Sequence, residues 1–397
     1  MVLIFITLAI PVQLDGNWVT LLWILEAALL FWIGRTKNVN IYERISYPLM
    51  IMAFISLIQD WSYSYLDLYY IDEAYYFTSI LNISFLSSIV FVIAMSFINF
   101  THYKSNTIVE PEGRKKHWLA KIMNYGMPII LILALYGSFF YEIEFYWSKL
   151  FEKSRIESED YYSIYNYDLS DFKVIWLNNY TFLFLSGLVF FNLKKIKNRT
   201  LGIATIAIGL ITTLIFLSGS LYILSELRES YILRDLPENN FEVSALNIGI
   251  RYIIFGFFAL FLFALHKLMR SEFMTIDTKI PFGILMHVST LWILSSELLH
   301  WLDLFGSEET YKLGLSILWG LYSLMLIALG IWKKKKYLRI GAIILFTITL
   351  IKLFAYDIAS MNTITKTIVF VSLGVLLLII SFLYNKYKHI IADETEK

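Results

Sequence analysis

Glu26, Arg251, Glu297, His300 and Lys352 fall inside long apolar stretches, and Asp357 follows Lys352 at the mouth of one of them. An ionisable group in hydrocarbon is costly, and by default it marks a functional site or a buried pair. The signs balance, with Arg251 and Lys352 against Glu26 and Glu297, so Glu26–Lys352 and Glu297–Arg251 are the expected pairs. Glu297, His300 and Asp303 are spaced to lie loosely on one side of a helix. A Glu-x-x-His run of this kind ligates metal in di-metal bundles, but there a second helix supplies a matching run. This sequence has none, so no metal is expected. Glu26 or His287 could carry a proton, although a lone His between helices more commonly serves as hydrogen-bonded structure.

Other chemistry is excluded by composition. With no cysteine, the chain has no disulfide, thiolate nucleophile or Cys-ligated metal. It contains no phosphate-cradling Gly loop, no HExxH and no GxSxG elbow. No cofactor is expected, and no catalytic motif points to an enzyme. A net charge of +1, with no basic domain, argues against nucleic acid as a partner.

The elements that must position these groups are membrane spans. Of the 397 residues, 58% are hydrophobic and only 16% charged, far from the roughly 25% charged of soluble domains. A helix needs about 20 apolar residues to cross about 30 Å of hydrocarbon. The expected spans are Met1–Leu14, Trp18–Gly34, Tyr47–Leu57, Ile80–Phe100, Leu119–Tyr141, Val174–Leu193, Leu201–Leu224, Ile248–Lys267, Pro281–Trp301, Leu313–Trp332, Leu338–Ala355 and Ile364–Tyr384. The fold class is therefore all-α: a polytopic transmembrane bundle of about 12 spans in one membrane domain, residues 1–397. The first span is short or truncated, and the third is expected to extend back toward Ile41.

Alternate loops sort by charge. One set, with the tail 385–397, holds about 23 of the 33 Lys and Arg, notably in loops 101–118, 194–199 and 333–339. The opposite set carries about 22 of the 32 acidic residues. The Lys/Arg bias places the basic loops and both termini in the cytoplasm. The composition suits a bacterial cell (inner or plasma) membrane, with anionic lipid as a partner at the basic loops. Protein partners cannot be named from the sequence. Outside lie two Tyr-rich acidic loops, 60–78 and 142–173, read as helices along the outer surface or as an aromatic platform for a glycan or lipid headgroup.

This threading gives the buried charges a depth. Glu26 lies eight residues beyond Trp18, roughly 12 Å below the outer boundary at about 1.5 Å per residue. Arg251 and Lys352 lie about one turn below the outer ends of their spans, and Glu297 and His300 fall in the outward third. Two readings follow. Glu26, Arg251, Glu297, His300, Lys352 and Asp357 line one outward-opening polar cavity, or they are scattered structural pairs with Arg251 and Lys352 snorkelling to the interface. Gly202, Gly209 and Gly219 share one span and are read as close-packing positions.

Two ends of the chain carry a family pattern. The first is Ile10-Pro11, Leu14-Asp15-Gly16, Trp18, Trp23 and Glu26. The second is Trp319, Leu338-Arg339-Ile340-Gly341, Lys352-Leu353-Phe354 with Asp357, Val371-Ser372-Leu373-Gly374 and Ser381-Phe382-Leu383-Tyr384. Together they resemble the bacterial multi-span family called domain of unknown function 2339, although Lys366 stands where that pattern has arginine. The resemblance implies an integral membrane protein and supplies no reaction or substrate. The sequence also shows a weak echo between Leu22–Glu26 and Leu291–Glu297, compatible with an inverted repeat or with chance.

Three function classes remain. A slim preference goes to transporter-like handling of a small or lipid-linked envelope substrate through an outward polar cavity. The alternatives are a non-catalytic envelope scaffold and a membrane-embedded transferase using Asp15, Asp60 or Asp67 as base. Against transport, Pro128 is the single proline expected well inside a span.

Overall fold

In hydrocarbon a backbone N–H has no water to bond, so an apolar run of this length must satisfy its own hydrogen bonds as a helix. The structure, a computed structural model, describes residues 14, 16–66, 78–106, 118–157, 163–235, 240–274, 279–306 and 311–354, with short helical pieces between 364 and 382. Among these residues nine helices are long and apolar enough to cross a membrane. The protein is an all-α polytopic membrane protein. The expected span Met1–Leu14 falls almost wholly outside the described residues, as do most of Ile364–Tyr384 and Asp357.

Two compact units divide the chain, residues 1–180 and 181–397. The first contains α1 (Asn17–Thr36), α2 (Asn40–Trp61), α3 (Ile83–Asn106) and α4 (Trp118–Lys153). A two-residue antiparallel pair, β1 (Ile156–Glu157) and β2 (Ser163–Ile164), leads into α5 (Tyr167–Phe191), which crosses the boundary. The second unit continues with α6 (Arg199–Ile215), α7 (Leu221–Ile232), α8 (Leu246–Met269), α9 (Lys279–Leu304), α10 (Tyr311–Trp332) and α11 (Lys336–Lys352). A π-helical turn, Phe216–Ser220, joins α6 to α7 without a break.

Several boundaries differ from the sequence reading. The third expected span does extend back, to Asn40, which puts Pro48 inside α2 as well as Pro128 inside α4. Over Glu142–Lys173 the spanning helices simply lengthen, α4 to Lys153 and α5 from Tyr167, in place of separate surface helices. Asp60, expected in a solvated loop, is 5% exposed near the end of α2. Buried hydroxyls supply the reason: Thr20 and Ser56 lie beside it, so the helix carries its acid inward.

The core of the first unit is built from α1–α4, with Phe31, Tyr47, Met50, Phe91 and Met95 buried. Gly34 lets the backbone of Glu43 pass close to α1, and the Arg35–Glu43 ion pair (2.8 Å) locks that turn. In the second unit Phe182, Phe216, Phe258 and Phe261 form an aromatic cluster with ring centroids 4.8–5.7 Å apart. A methyl group at Gly209 would collide with the Phe261 ring, so close packing is a requirement there, whereas Gly219 faces open space. At the α10–α11 turn, Gly330 admits Arg339 of the Leu338–Gly341 motif.

Candidate functional site

The C-terminal end of α7, the first turns of α8 and the C-terminal half of α9 bring five polar groups together. On α9, Glu297, His300 and Asp303 recur every three residues, so the histidine lies between the two acids on the helix surface. Each acid takes an arginine from another helix. Arg251 Nη1 of α8 donates to Glu297 Oε1 at 2.9 Å and to the Ser296 carbonyl at 3.1 Å. Arg228 Nη2 of α7 pairs with Asp303 Oδ2 at 2.5 Å. Tyr252 donates its hydroxyl to the other Glu297 oxygen at 3.3 Å.

Burial makes this arrangement unusual. Arg251 is 1% exposed, His300 0% and Arg228 9%. Each guanidinium spends one nitrogen on its acid. Arg251 Nε and Nη2, Arg228 Nε and Nη1, and both ring nitrogens of His300 are buried without a hydrogen-bond partner in the structure. An unsatisfied buried donor ordinarily costs about 1–3 kcal/mol, more when charged.

Of the residues singled out in the sequence, Arg251, Glu297 and His300 therefore share one site. Lys352 lies in the last turn of α11, where its charge suits the helix dipole, and donates to Ser316 Oγ of α10 at 3.0 Å. Glu26 sits on α1 in the first unit, half-buried. His287 Nδ1 lies 3.1 Å from the Tyr322 hydroxyl, beside an apolar cavity of about 260 Å³ between α9, α10 and α11. Among the described residues, no group of three His, Asp or Glu side chains is placed to hold a metal. Glu297 and Asp303 are instead engaged by the arginines.

Sequence reasoning missed Arg228 because the hydropathic run fades at Leu224. The signal was present in the spacing. Leu221, Leu224, Leu227 and Arg228 keep helical periodicity with no Gly or Pro to interrupt it, and all four are buried along α7.

The first unit has a polar site of a different kind. Glu142, 4% exposed, accepts from the Tyr65 hydroxyl (2.5 Å) and Asn82 Nδ2 (2.6 Å) at one oxygen and from the Ile80 N–H (2.7 Å) at the other. Asp60 accepts from the Thr20 hydroxyl at 2.6 Å. Trp61 Nε1 donates to Ser88 Oγ at 2.8 Å. Asp67, the other acid considered on that expected outer loop, lies outside the described residues.

A family model described as "Predicted membrane protein (DUF2339)" matches residues 1–387. The chain belongs to the DUF2339 family. The match covers both ends that carried the resemblance and everything between them. No curated protein and no solved structure matches the chain. DUF2339 membership accounts for the many apolar helices and leaves the chemistry to the residues.

Proposed function

We propose that this protein handles a small or lipid-linked envelope substrate, in the manner of a transporter, at a polar recess opening to the outer face of a bacterial inner membrane. The observation that supports it is the buried cluster of Arg228, Arg251, Glu297, His300 and Asp303, whose polar groups exceed what two ion pairs require. A cluster kept only for stability would gain by replacement with apolar packing, since buried ion pairs rarely repay their desolvation. In this reading the chain has about 12 spans, both termini are cytoplasmic, and the basic loops rest on anionic lipid.

The absence of native cysteine makes the test direct. Single cysteines at Ser244, Tyr252 and Lys197 are treated in intact cells with a membrane-impermeant maleimide. Ser244→Cys should react, Lys197→Cys should react only after lysis, and Tyr252→Cys, beside Glu297, should react through the recess. Labelling of Lys197→Cys from outside would overturn the orientation. An inert Tyr252→Cys beside a reactive Ser244→Cys would make the cluster a sealed structural one.

A further inference from the structure

We propose that the α7–α8–α9 cluster binds a singly charged phosphate oxyanion, held by Arg251, Arg228 and His300; this rests on the recess reading above and names the chemical class of its substrate. Glu297 and the Ser296 carbonyl occupy Nη1 of Arg251, leaving Nε and Nη2. Those two point the same way along one side of the guanidinium plane, the edge that grips two oxygens of a carboxylate or phosphate in parallel hydrogen bonds. Arg228 spends Nη2 on Asp303 and retains Nε and Nη1 as two separate donors.

His300 lies between their two acids in the register of α9. It stands one turn from Glu297 and one turn from Asp303 on α9, so its ring lies between the two acids that fix the two guanidinium groups. Both Arg251 and Arg228 are near enough for their charges to bear on the imidazole. It can offer a further N–H, and its ring rests edge-on against Trp301 with centroids 5.6 Å apart. The donors thus come from three helices toward one place, and a tetrahedral oxyanion has enough acceptor oxygens for a side-on arginine, a second arginine and an imidazole. A carboxylate has only two oxygens to share among them.

Charge narrows the class further. Two arginines against two carboxylates leave the site formally neutral with His300 uncharged. With no net charge in the cluster, a dianion would bring more uncompensated charge out of water than a monoanion does. A phosphodiester headgroup and dihydrogen phosphate both meet that description. They share the recognition chemistry and differ in source, one from the bilayer and one from water.

The full-length protein, delipidated in a maltoside detergent, separates the cases. Its thermal unfolding midpoint is followed during titration with inorganic phosphate and, separately, with phosphatidylglycerol. Chloride at matched ionic strength and diacylglycerol serve as controls. A saturable rise with phosphate identifies a free anion, and a rise with phosphatidylglycerol alone identifies a lipid headgroup; both support the proposal. In His300→Leu the ligand should bind at least tenfold more weakly, with the unliganded midpoint at or above the parent, since an apolar side chain relieves two unsatisfied nitrogens. Arg251→Lys, which keeps the charge and removes the fork, should weaken binding by a similar factor. No response to either phosphate probe, or undiminished binding in His300→Leu, overturns the proposal. If Tyr252→Cys still reacts from outside, the recess stands and only the substrate class falls.

Discussion

In the first unit Glu142 is met by a phenol, an amide and a backbone N–H, whereas in the second Glu297 and Asp303 each meet an arginine. The neutral donors use up both oxygens of Glu142, and among its described neighbours every contact has a stabilising purpose. The arginines bring more donors than their acids can accept, and the surplus is buried. The Glu142 site therefore buries a carboxylate as a strut between helices, and the Arg251–Arg228 site buries a donor surplus that a stability argument does not explain. Counting charges within spans is therefore insufficient. Leftover hydrogen-bonding capacity separates a structural group from a candidate binding group.

Four substitutions, one of them made on top of another, test this contrast. Arg251→Met should have the largest effect, about 3 kcal/mol of lost stability, because the partly buried Glu297 loses its counter-ion and keeps only the Tyr252 hydroxyl. Adding Glu297→Leu should restore most of it, as read by denaturant unfolding in micelles; strictly additive losses would mean that the pair is not coupled. Glu142→Gln should cost about 2 kcal/mol, since the amide places an NH2 group against donors that need an acceptor. Here no partner substitution of similar kind restores the loss, because three different groups supply the donors. The smallest effect is a gain. Ile80 holds φ at +68° while donating its N–H to Glu142, a conformation that a β-branched side chain resists. Ile80→Gly should raise stability by about 0.5–1 kcal/mol if Glu142 is the constraint that keeps the backbone there. A destabilised Ile80→Gly would show that the side chain itself anchors the segment.

Much of the helical layout was legible in the residues, because hydrocarbon length and apolar run length are the same quantity. The pairing of Arg251 with Glu297 was also within reach, since opposite charges at similar depth have few other choices. Arg228 and Asp60 were not. Hydropathy scores a residue by type, and both fall where the average turns polar, yet both stay inside because Asp303, Thr20 and Ser56 receive them. A helix end in a membrane is decided by its hydrogen-bond partners as much as by its own composition, and those partners lie elsewhere in the sequence. Asn198 shows the local counterpart. Its side chain accepts from Leu201 N to cap α6, while Asn192 holds its backbone on both sides, so that boundary could be read from neighbours alone.

The turn between α1 and α2 has a consequence for biosynthesis. Only residues 37–39 separate the two helices, Asn38 adopts a left-handed conformation, and Arg35 finds Glu43 across the bend. A connection this tight gives the nascent chain no slack to deliver the first helix to the bilayer and then wait for the second. Insertion as a helical hairpin is the expected outcome, its turn closed by the Arg35–Glu43 pair.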